Sequence, residues 1–174
     1  MNECSEEKRT LVSKLNEQHD LSDGELKALL ESPEPDMVLF QAADAMRRSV
    51  YGEDVYTRGL VEFTNYCKNN CLYCGIRRDN RQVERYRLTD EQILQCCEAG
   101  HNLGYRTFVL QGGEDPYYTD ERICRMVARI REKYPDCAIT LSIGEKSRES
   151  YQKYFDAGAN RYLLRHETAD DELY

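Results

Sequence analysis

The 174-residue sequence has no long hydrophobic run, since its purely apolar stretches extend over only a few residues. A helix that crosses a bilayer needs about 20 mostly apolar residues, so we expect no membrane span. The N-terminal segment MNECSEEKRTLVSK is charged and mostly polar, and it lacks the apolar core of a secretory signal. The sequence therefore predicts a cytoplasmic protein.

Basic residues are in the minority. The chain has 24 lysines and arginines against 32 aspartates and glutamates, which gives a net charge of -8. Because binding to phosphates needs a basic footprint, this balance predicts that nucleic acid is not a partner. One exception is a group of five arginines within eleven residues: Arg77, Arg78, Arg81, Arg85 and Arg87. They form either a solvated face that pairs with Glu84 and Asp79 or a positive rim around an anionic ligand site.

Eight cysteines are present, and without a secretory signal they indicate thiols or metal ligands rather than disulfides. Five lack a ligand spacing and are interpreted as ordinary thiols in the terminal tail, on helices and at a strand start: Cys4, Cys96, Cys97, Cys124 and Cys137. The other three, Cys67, Cys71 and Cys74, are spaced for convergence on one small centre.

The first 58 residues form a predicted helical segment. Ser22 and Glu25 have the spacing of a capping box, and the following helix should end at Pro33 and Pro35. A second, amphipathic helix is predicted before Gly52. Its apolar residues at helical spacing are Val38, Ala42, Ala45 and Met46.

Residues 59–174 form a second predicted domain, of class α/β. Four short apolar strands are predicted at 60–64, 106–110, 138–143 and 161–164. Helices should begin after Thr89, Thr119 and Ser147. The middle helix has an apolar stripe of Ile123, Met126, Val127, Ile130 and Tyr134. Strands and helices that alternate in this way predict a parallel sheet. The segments after the four strands should then meet at one edge of the sheet.

The three spaced cysteines leave several interpretations open. A structural zinc site needs four protein ligands, and neither a fourth cysteine nor a suitable histidine is evident, because His101 is expected on the far side of a helix. A thioredoxin-like pair would use only Cys71 and Cys74. A [4Fe-4S] cluster held by three cysteines would keep one iron open for a ligand.

The run CKNNCLYC, with an aromatic residue before the last cysteine, resembles the CxxxCxxC motif of the radical S-adenosylmethionine (SAM) superfamily. The segments CLYCGIRRDN, LQGGEDPYY and LLRHETA are similar to the HydE family of [FeFe]-hydrogenase maturases. This resemblance covers essentially the whole chain. It implies a partial (half) TIM-type barrel of about four parallel βα units preceded by N-terminal helices, because a complete barrel needs about 250 residues. A truncated form of such an enzyme is therefore expected.

The resemblance also implies roles for individual residues. Cys67, Cys71 and Cys74 would ligate the cluster, SAM would chelate the open iron, and Tyr73 would lie beside the adenine. Gly112, Gly113 and Glu114 match a GGE-type motif whose carbonyls accept from the SAM ammonium, although a Gly-Gly pair after a strand can also be a simple turn. Arg165 would pair with a carboxylate and Glu167 with a ribose hydroxyl or ammonium, unless they form a salt-bridged rim. His166 alternates in direction with its strand neighbours and is therefore expected to pack away from the site.

Thr140 and Ser142 lie two apart on a strand, so they share a face and either bind substrate or fill the interior. The resemblance implies a small-molecule or organometallic substrate, with HydF, HydG and an electron donor as partners. Methylornithine synthase and biotin synthase-like sulfur insertases share the cysteine motif, although Gly75 and LLRHET favour HydE. A non-catalytic iron–sulfur or zinc-binding module is the alternative of a different class.

Overall fold

The computed structural model describes residues 5–34, 36–170 and 172. The predictions for Cys4 and Pro35 therefore lie outside the described residues. The chain divides into two compact units, Met1–Tyr56 and Thr57–Tyr174, each with its own internal packing. No helix in the described ranges is long and apolar enough to cross a membrane.

The first unit contains three helices: α1 (Glu6–Gln18), α2 (Asp23–Glu31) and α3 (Met37–Tyr51). The predicted capping box is present at the start of α2, where the Ser22 hydroxyl accepts from the Glu25 amide and the Glu25 carboxylate accepts from the Ser22 amide. Helix α2 ends before Pro33, as predicted, and α3 ends at Gly52, whose φ is +62°. The local signals thus set these helix ends correctly.

The predicted apolar stripe of α3 is only partly covered. Val38 and Ala42 are half-buried, whereas Ala45 and Met46 are exposed. The pattern therefore predicted the helix correctly but overestimated how much of it is buried. Elsewhere in this unit, Val12 and Leu29 are buried.

The second unit is an α/β sheet unit that alternates strands and helices: β1 (Gly59–Thr64), α4 (Asp90–Asn102), β2 (Thr107–Gly112), α5 (Asp120–Lys133), β3 (Ala138–Ser142), α6 (Arg148–Asp156) and β4 (Arg161–Tyr162). The four strands are all parallel and lie in the order β1-β2-β3-β4. The predicted α/β class and parallel pairing are confirmed. Strand β4 has two residues rather than the predicted four, so it ends at Tyr162.

The three helix starts of this unit fall where the sequence predicts them. Thr89 forms a complete capping box with Gln92, and the Ser147 hydroxyl accepts from the Ser150 amide. Thr119 is also an N-cap residue, but its side chain makes no capping hydrogen bond. Extended backbone at the N-cap is thus common to all three, and the side-chain bond is not.

One face of the sheet forms the core with the helices. Phe108, Leu110, Ile139 and Leu141 are fully buried there. The predicted stripe of α5 is buried along its whole length, from Ile123 through Met126, Val127 and Ile130 to Tyr134. Alternation along the strands therefore directs the neighbouring residues to the other face.

The other face of the sheet carries two rows of residues in register. Leu60, Val109, Thr140 and Arg161 are paired across the sheet, and Glu62, Gln111 and Ser142 are paired one step further along. Thr140 and Ser142 therefore share the face opposite the helices. This second row, which is polar throughout, lies at the edge where β2 and β3 end.

Candidate functional site

A cavity of about 460 Å³ lies at the carboxyl edge of the sheet. It is lined by most of the predicted site residues: Cys67, Cys71, Tyr73, Cys74, Gly112, Gly113, Glu114, Ser142, Arg165 and Glu167. Thr140 is buried one step back along β3 and does not line the cavity. The segments after all four strands thus converge at one place, as parallel topology requires.

The cysteine loop is folded by its own main-chain hydrogen bonds. The Cys74 amide donates to the Cys71 carbonyl at 3.0 Å, and the Arg78 amide donates to the Asn69 carbonyl at 2.8 Å. The three thiols are free and half-buried. Between the second and third thiol, Leu72 and Tyr73 are 86% and 59% exposed. These turns therefore bring the three thiols to the cavity while the intervening side chains remain accessible.

The two glycines at the end of β2 allow the cysteine loop to pack closely against this strand. A β-carbon at Gly113 would lie 2.2 Å from the Tyr66 carbonyl oxygen and 2.7 Å from Cys67 Cβ. One at Gly112 would lie 2.6 Å from Thr64 Cγ2. Both positions need glycine because of contact with the cysteine loop or the strand before it, rather than because of a turn alone.

Glu114 connects the first turn of the cysteine loop to the loop after β3. Its carbonyl accepts from the Lys68 amide at 3.0 Å, and its carboxylate accepts from Asn69 Nδ2 at 2.8 Å. Lys68 Nζ lies 3.1 Å from the second carboxylate oxygen. A β-carbon at Gly144 would lie 2.2 Å from Glu114 Cγ, so this side chain passes directly over that glycine. Glu114 therefore fixes the cysteine loop in place, a role that the resemblance to the GGE-type motif did not imply.

Asp115, which sequence reasoning did not single out, is the buried centre of an ionic cluster. Its side chain is 1% exposed, and it accepts from Arg87 through both oxygens and from the Thr64 hydroxyl at 2.8 Å. The Arg87 guanidinium also lies 3.8 Å from the centre of the Tyr66 ring. This cluster joins the end of β1, the segment after the cysteines and the loop after β2.

The ionic cluster shifts the pKa values of Asp115 and Arg87. Burial disfavours the charged carboxylate, but hydrogen bonds from Arg87 and Thr64 outweigh burial and hold the pKa of Asp115 below its ordinary value. The pKa of Arg87 is raised, first because its guanidinium hydrogen-bonds to Asp115. Both groups are therefore charged at neutral pH.

The arginine-rich segment matches neither of its two sequence interpretations fully. Arg78 pairs with Asp79 at 3.0 Å on the surface, as the solvated-face interpretation predicts. Glu84 forms no ion pair within the described part of the chain. Arg85 and Arg87 instead turn inward, and Arg85 donates to four main-chain carbonyls. The segment is therefore largely a support for the cysteine loop.

Arg165 and Glu167 reach the cavity from the chain beyond β4. Both are exposed, and Glu167 has a φ of +62°. Because β4 ends at Tyr162, alternation along a strand does not decide where His166 points. His166 is exposed, so the expectation that it packs is wrong.

The polar row on the open face of the sheet adds two cavity residues. Glu62 was not predicted as a site residue, yet it lines the cavity with Gln111, whose Nε2 donates to the Glu62 carboxylate at 3.2 Å. In the sequence, Glu62 stood out only as a charged residue within an otherwise apolar strand. The Tyr86 hydroxyl donates to the Glu62 carbonyl at 3.0 Å.

The donor set of the cysteine loop bears on what the loop can hold. Its three thiols line one cavity, and each offers one sulfur ligand. A structural zinc site is closed by four protein ligands, whereas a [4Fe-4S] cluster held by three cysteines keeps one iron open. Within the described ranges, three potential ligand atoms that all lie within 4.8 Å of one another occur at His101, Asp136 and Cys137.

The group at His101, Asp136 and Cys137 lies at the opposite, amino edge of the sheet. Asp136 already pairs with Arg106 at 2.9 Å, so its charge is compensated within the protein. The His101 ring packs against Tyr134, with the ring centres 4.9 Å apart. His101 is thus a partly buried residue that packs against an aromatic ring.

Comparison with known proteins agrees with this geometry. The family described as the Radical SAM superfamily matches residues 61–174. The [FeFe] hydrogenase maturase subunit HydE of Thermotoga maritima is 48% identical over 136 residues, which is 78% of this chain and 38% of that protein. The 3-methylornithine synthase of Methanosarcina acetivorans is 35% identical over 165 residues, 92% of this chain and 47% of that protein.

Solved structures give the same fold. A crystal structure of methylornithine synthase (PylB) matches with a TM-score of 0.80 and 32% identity, covering 94% of this chain and 49% of that one. A crystal structure of HydG, a maturase of the [FeFe]-hydrogenase, matches with a TM-score of 0.84 at 24% identity and shows the fold alone. The partial TIM-type barrel is thereby confirmed.

The present chain spans less than half the length of these relatives. The family match nevertheless includes the cysteine loop, all but the first two residues of β1, and everything that follows. The structural likeness extends over nearly the whole chain. The chain belongs to the radical SAM superfamily.

Proposed function

We propose that the three loop cysteines hold a [4Fe-4S] cluster and that SAM binds beside it in the same cavity. The observation that carries this proposal is the placement of Cys67, Cys71 and Cys74 around one cavity at the carboxyl edge of the sheet. Three protein ligands leave one iron open, and an open iron is a site for a small ligand.

The chemistry would come from the bound cofactors. Held by Cys67, Cys71 and Cys74, a reduced cluster would supply one electron for cleavage of the SAM sulfonium bond into methionine and a 5′-deoxyadenosyl radical. The protein supplies ligands, orientation and protection from solvent. In this chain, half-burial of the thiols and the packing of Gly113 against the loop would serve those ends.

The remaining cavity residues would position SAM. Arg165 would pair with its carboxylate, Glu167 with a ribose hydroxyl or the ammonium, and the exposed Tyr73 would lie beside the adenine. The carbonyls of Gly112 and Gly113 are candidates for the SAM ammonium. The Glu114 carbonyl already accepts from the Lys68 amide, so it could offer only its second lone pair.

Substrate would occupy the open face of the sheet. Ser142 lines the cavity and would contact it directly, whereas the buried Thr140 would support the floor of the site. Glu62 and Gln111 extend the same polar surface. Hydroxyl, amide and carboxylate groups together suit a polar small molecule.

Within the superfamily, we propose a HydE-type activity in maturation of the [FeFe]-hydrogenase H-cluster, with HydF, HydG and an electron donor as partners. The 48% identity to the Thermotoga maritima maturase supports this assignment. A methylornithine synthase-like activity is the second candidate, supported by the 92% coverage of this chain in that comparison.

Anaerobic reconstitution with iron and sulfide tests the cluster assignment. We expect close to four irons per chain, and an electron paramagnetic resonance signal of the reduced protein that SAM shifts. Cys67→Ala, Cys71→Ala and Cys74→Ala should each reduce iron content, while Cys96→Ala, on the exposed side of α4, should not.

Two results would contradict the proposal. Equal iron and sulfide content in the wild type and a variant lacking all three loop cysteines would show that these thiols are not the ligands. A colourless protein that binds one zinc per chain through the same cysteines would support the non-catalytic metal module instead.

A further inference from the structure

Arg85 closes the base of the cysteine loop. Its Nη1 donates to the carbonyls of Asn65 and, at 2.8 Å, of Ile76. Its Nη2 donates to the carbonyls of Arg77 at 2.6 Å and Asn80 at 3.1 Å. A single half-buried guanidinium therefore connects the chain before the first cysteine with the chain after the third.

The positions of these carbonyls relative to the thiols are informative. Asn65 lies two residues before Cys67, and Ile76 lies two residues after Cys74. The guanidinium thus fixes the distance between the two ends of the segment that carries all three thiols. No carboxylate of the described chain forms an ion pair with Arg85, so its bonds are directed to the main chain rather than to a surface partner.

The main chain around Arg85 is held in place by hydrogen bonds that do not involve the Arg85 side chain. The side chain of Asn65 donates to the Glu84 carbonyl at 2.7 Å and accepts from the Tyr86 amide at 2.8 Å. These bonds hold the residues on either side of Arg85 against the end of β1. Replacing the guanidinium should therefore remove the link to the far end of the loop without releasing this segment.

We infer that Arg85 is a positioning residue that sets the spacing of Cys67 and Cys74 for the cluster, an inference that rests on the proposed function. Lysine cannot replace it, because one ammonium has three donors at a single point, whereas the planar guanidinium reaches several separated acceptors at once. A loop without this link can still bind iron through its thiols, but it holds the iron less firmly.

The test compares Arg85→Lys and Arg85→Met with Arg78→Lys, a change in the same segment at an exposed, ion-paired arginine. Each protein is reconstituted, its iron and sulfide are counted, and the decay of its cluster absorbance is followed in a chelator. We expect roughly tenfold faster iron loss in both Arg85 variants, about the effect of losing one charge-assisted hydrogen bond. Arg78→Lys should match the wild type.

Two further measurements separate positioning from general instability. Thermal unfolding of the metal-free proteins should be similar in the wild type and Arg85→Lys, and the SAM-induced shift of the paramagnetic signal should be smaller in Arg85→Lys. Iron retention within twofold of the wild type in both Arg85 variants would overturn the inference. So would iron loss explained wholly by a lower melting temperature of the metal-free variants. A wild-type chain that binds no cluster would instead overturn the proposed function, and this inference with it.

Discussion

Arg87 and Asp115 form a two-point ion pair: Arg87 Nε donates to Oδ2 at 2.6 Å and Nη2 donates to Oδ1 at 2.9 Å. The two residues are far apart in sequence, and each follows a different segment of the site. Because the carboxylate is almost wholly buried, its charge depends on this partner. The pair therefore joins the segment after the cysteines to the loop after β2.

Removal of the charge at Asp115 should destabilise the fold. Asp115→Asn leaves the Arg87 cation without a counterion; because the Arg87 side chain is 34% exposed, water compensates part of that charge, and we expect a loss of about 1–3 kcal/mol in the free energy of unfolding. Denaturant unfolding of the metal-free protein measures it. Asp79→Asn removes an exposed ion pair with Arg78 and should cost less than about 1 kcal/mol. Equal losses in the two variants would show that burial of Asp115 adds nothing to the stability that its ion pair with Arg87 provides.

The same carboxylate should make stability depend on pH. The pKa of Asp115 is lower in the folded chain than in the unfolded chain, so its contribution is complete above about pH 4, the unfolded value. It is lost as the pH falls through the lower folded pKa. The stability difference between wild type and Asp115→Asn should therefore shrink below about pH 4. A difference that stays constant down to pH values well below that would contradict this linkage.

Gly113 should not tolerate even one methyl group. A β-carbon there meets the Tyr66 carbonyl oxygen at 2.2 Å, so Gly113→Ala should cost about 1–3 kcal/mol and lower the iron content after reconstitution. Gly75→Ala is the matched control within the cysteine loop, because nothing lies within 4 Å of its β-carbon and its φ is not positive. Equal iron content in the two variants would mean that the loop can move away from β2 without consequence.

Phe108 should be the most sensitive test of the core beneath the site. It is fully buried, and its ring meets Tyr134 edge-on with the ring centres 5.5 Å apart. Phe108→Ala should destabilise the protein by about 3–5 kcal/mol in denaturant unfolding. Phe155→Ala, at a position 65% exposed on α6, should change stability by less than about 1 kcal/mol. A small loss of stability in Phe108→Ala would indicate that neighbouring core residues move in to fill the space left by the ring.

Local signals in the sequence predicted much of this structure. The capping residues Ser22, Thr89 and Ser147 act over three residues, so they set helix starts without help from the rest of the chain. The stripe of α5 likewise predicted its buried face. Strand β4 was predicted too long, because its pairing with β3 stops at Leu141 and Tyr162 although β3 continues to Ser142, and the apolar residues 163 and 164 carry no local signal for that end.

The candidate site likewise combines features that local sequence signals predict with features that depend on tertiary contacts. The spacing of Cys67, Cys71 and Cys74 and their position after a strand were sufficient to predict a loop at the carboxyl edge of a parallel sheet. The partners of Arg85 and Arg87 were not predictable, since a charged side chain in a polar segment can equally face solvent or turn inward. His166 was misjudged for a related reason, because the strand alternation used to orient it stops at Tyr162.

The sequence by itself therefore determined the order of helices and strands, the alternation of buried and open faces along the strands, and which three cysteines share one loop. These depend on short-range periodicity and on residue type. Only the tertiary structure decided that Gly113 meets Tyr66, that the buried Asp115 pairs with Arg87, and that Glu62 lines the cavity. Each of these contacts joins segments distant in the chain, and its free energy depends on burial and distance that exist only after the sheet has formed.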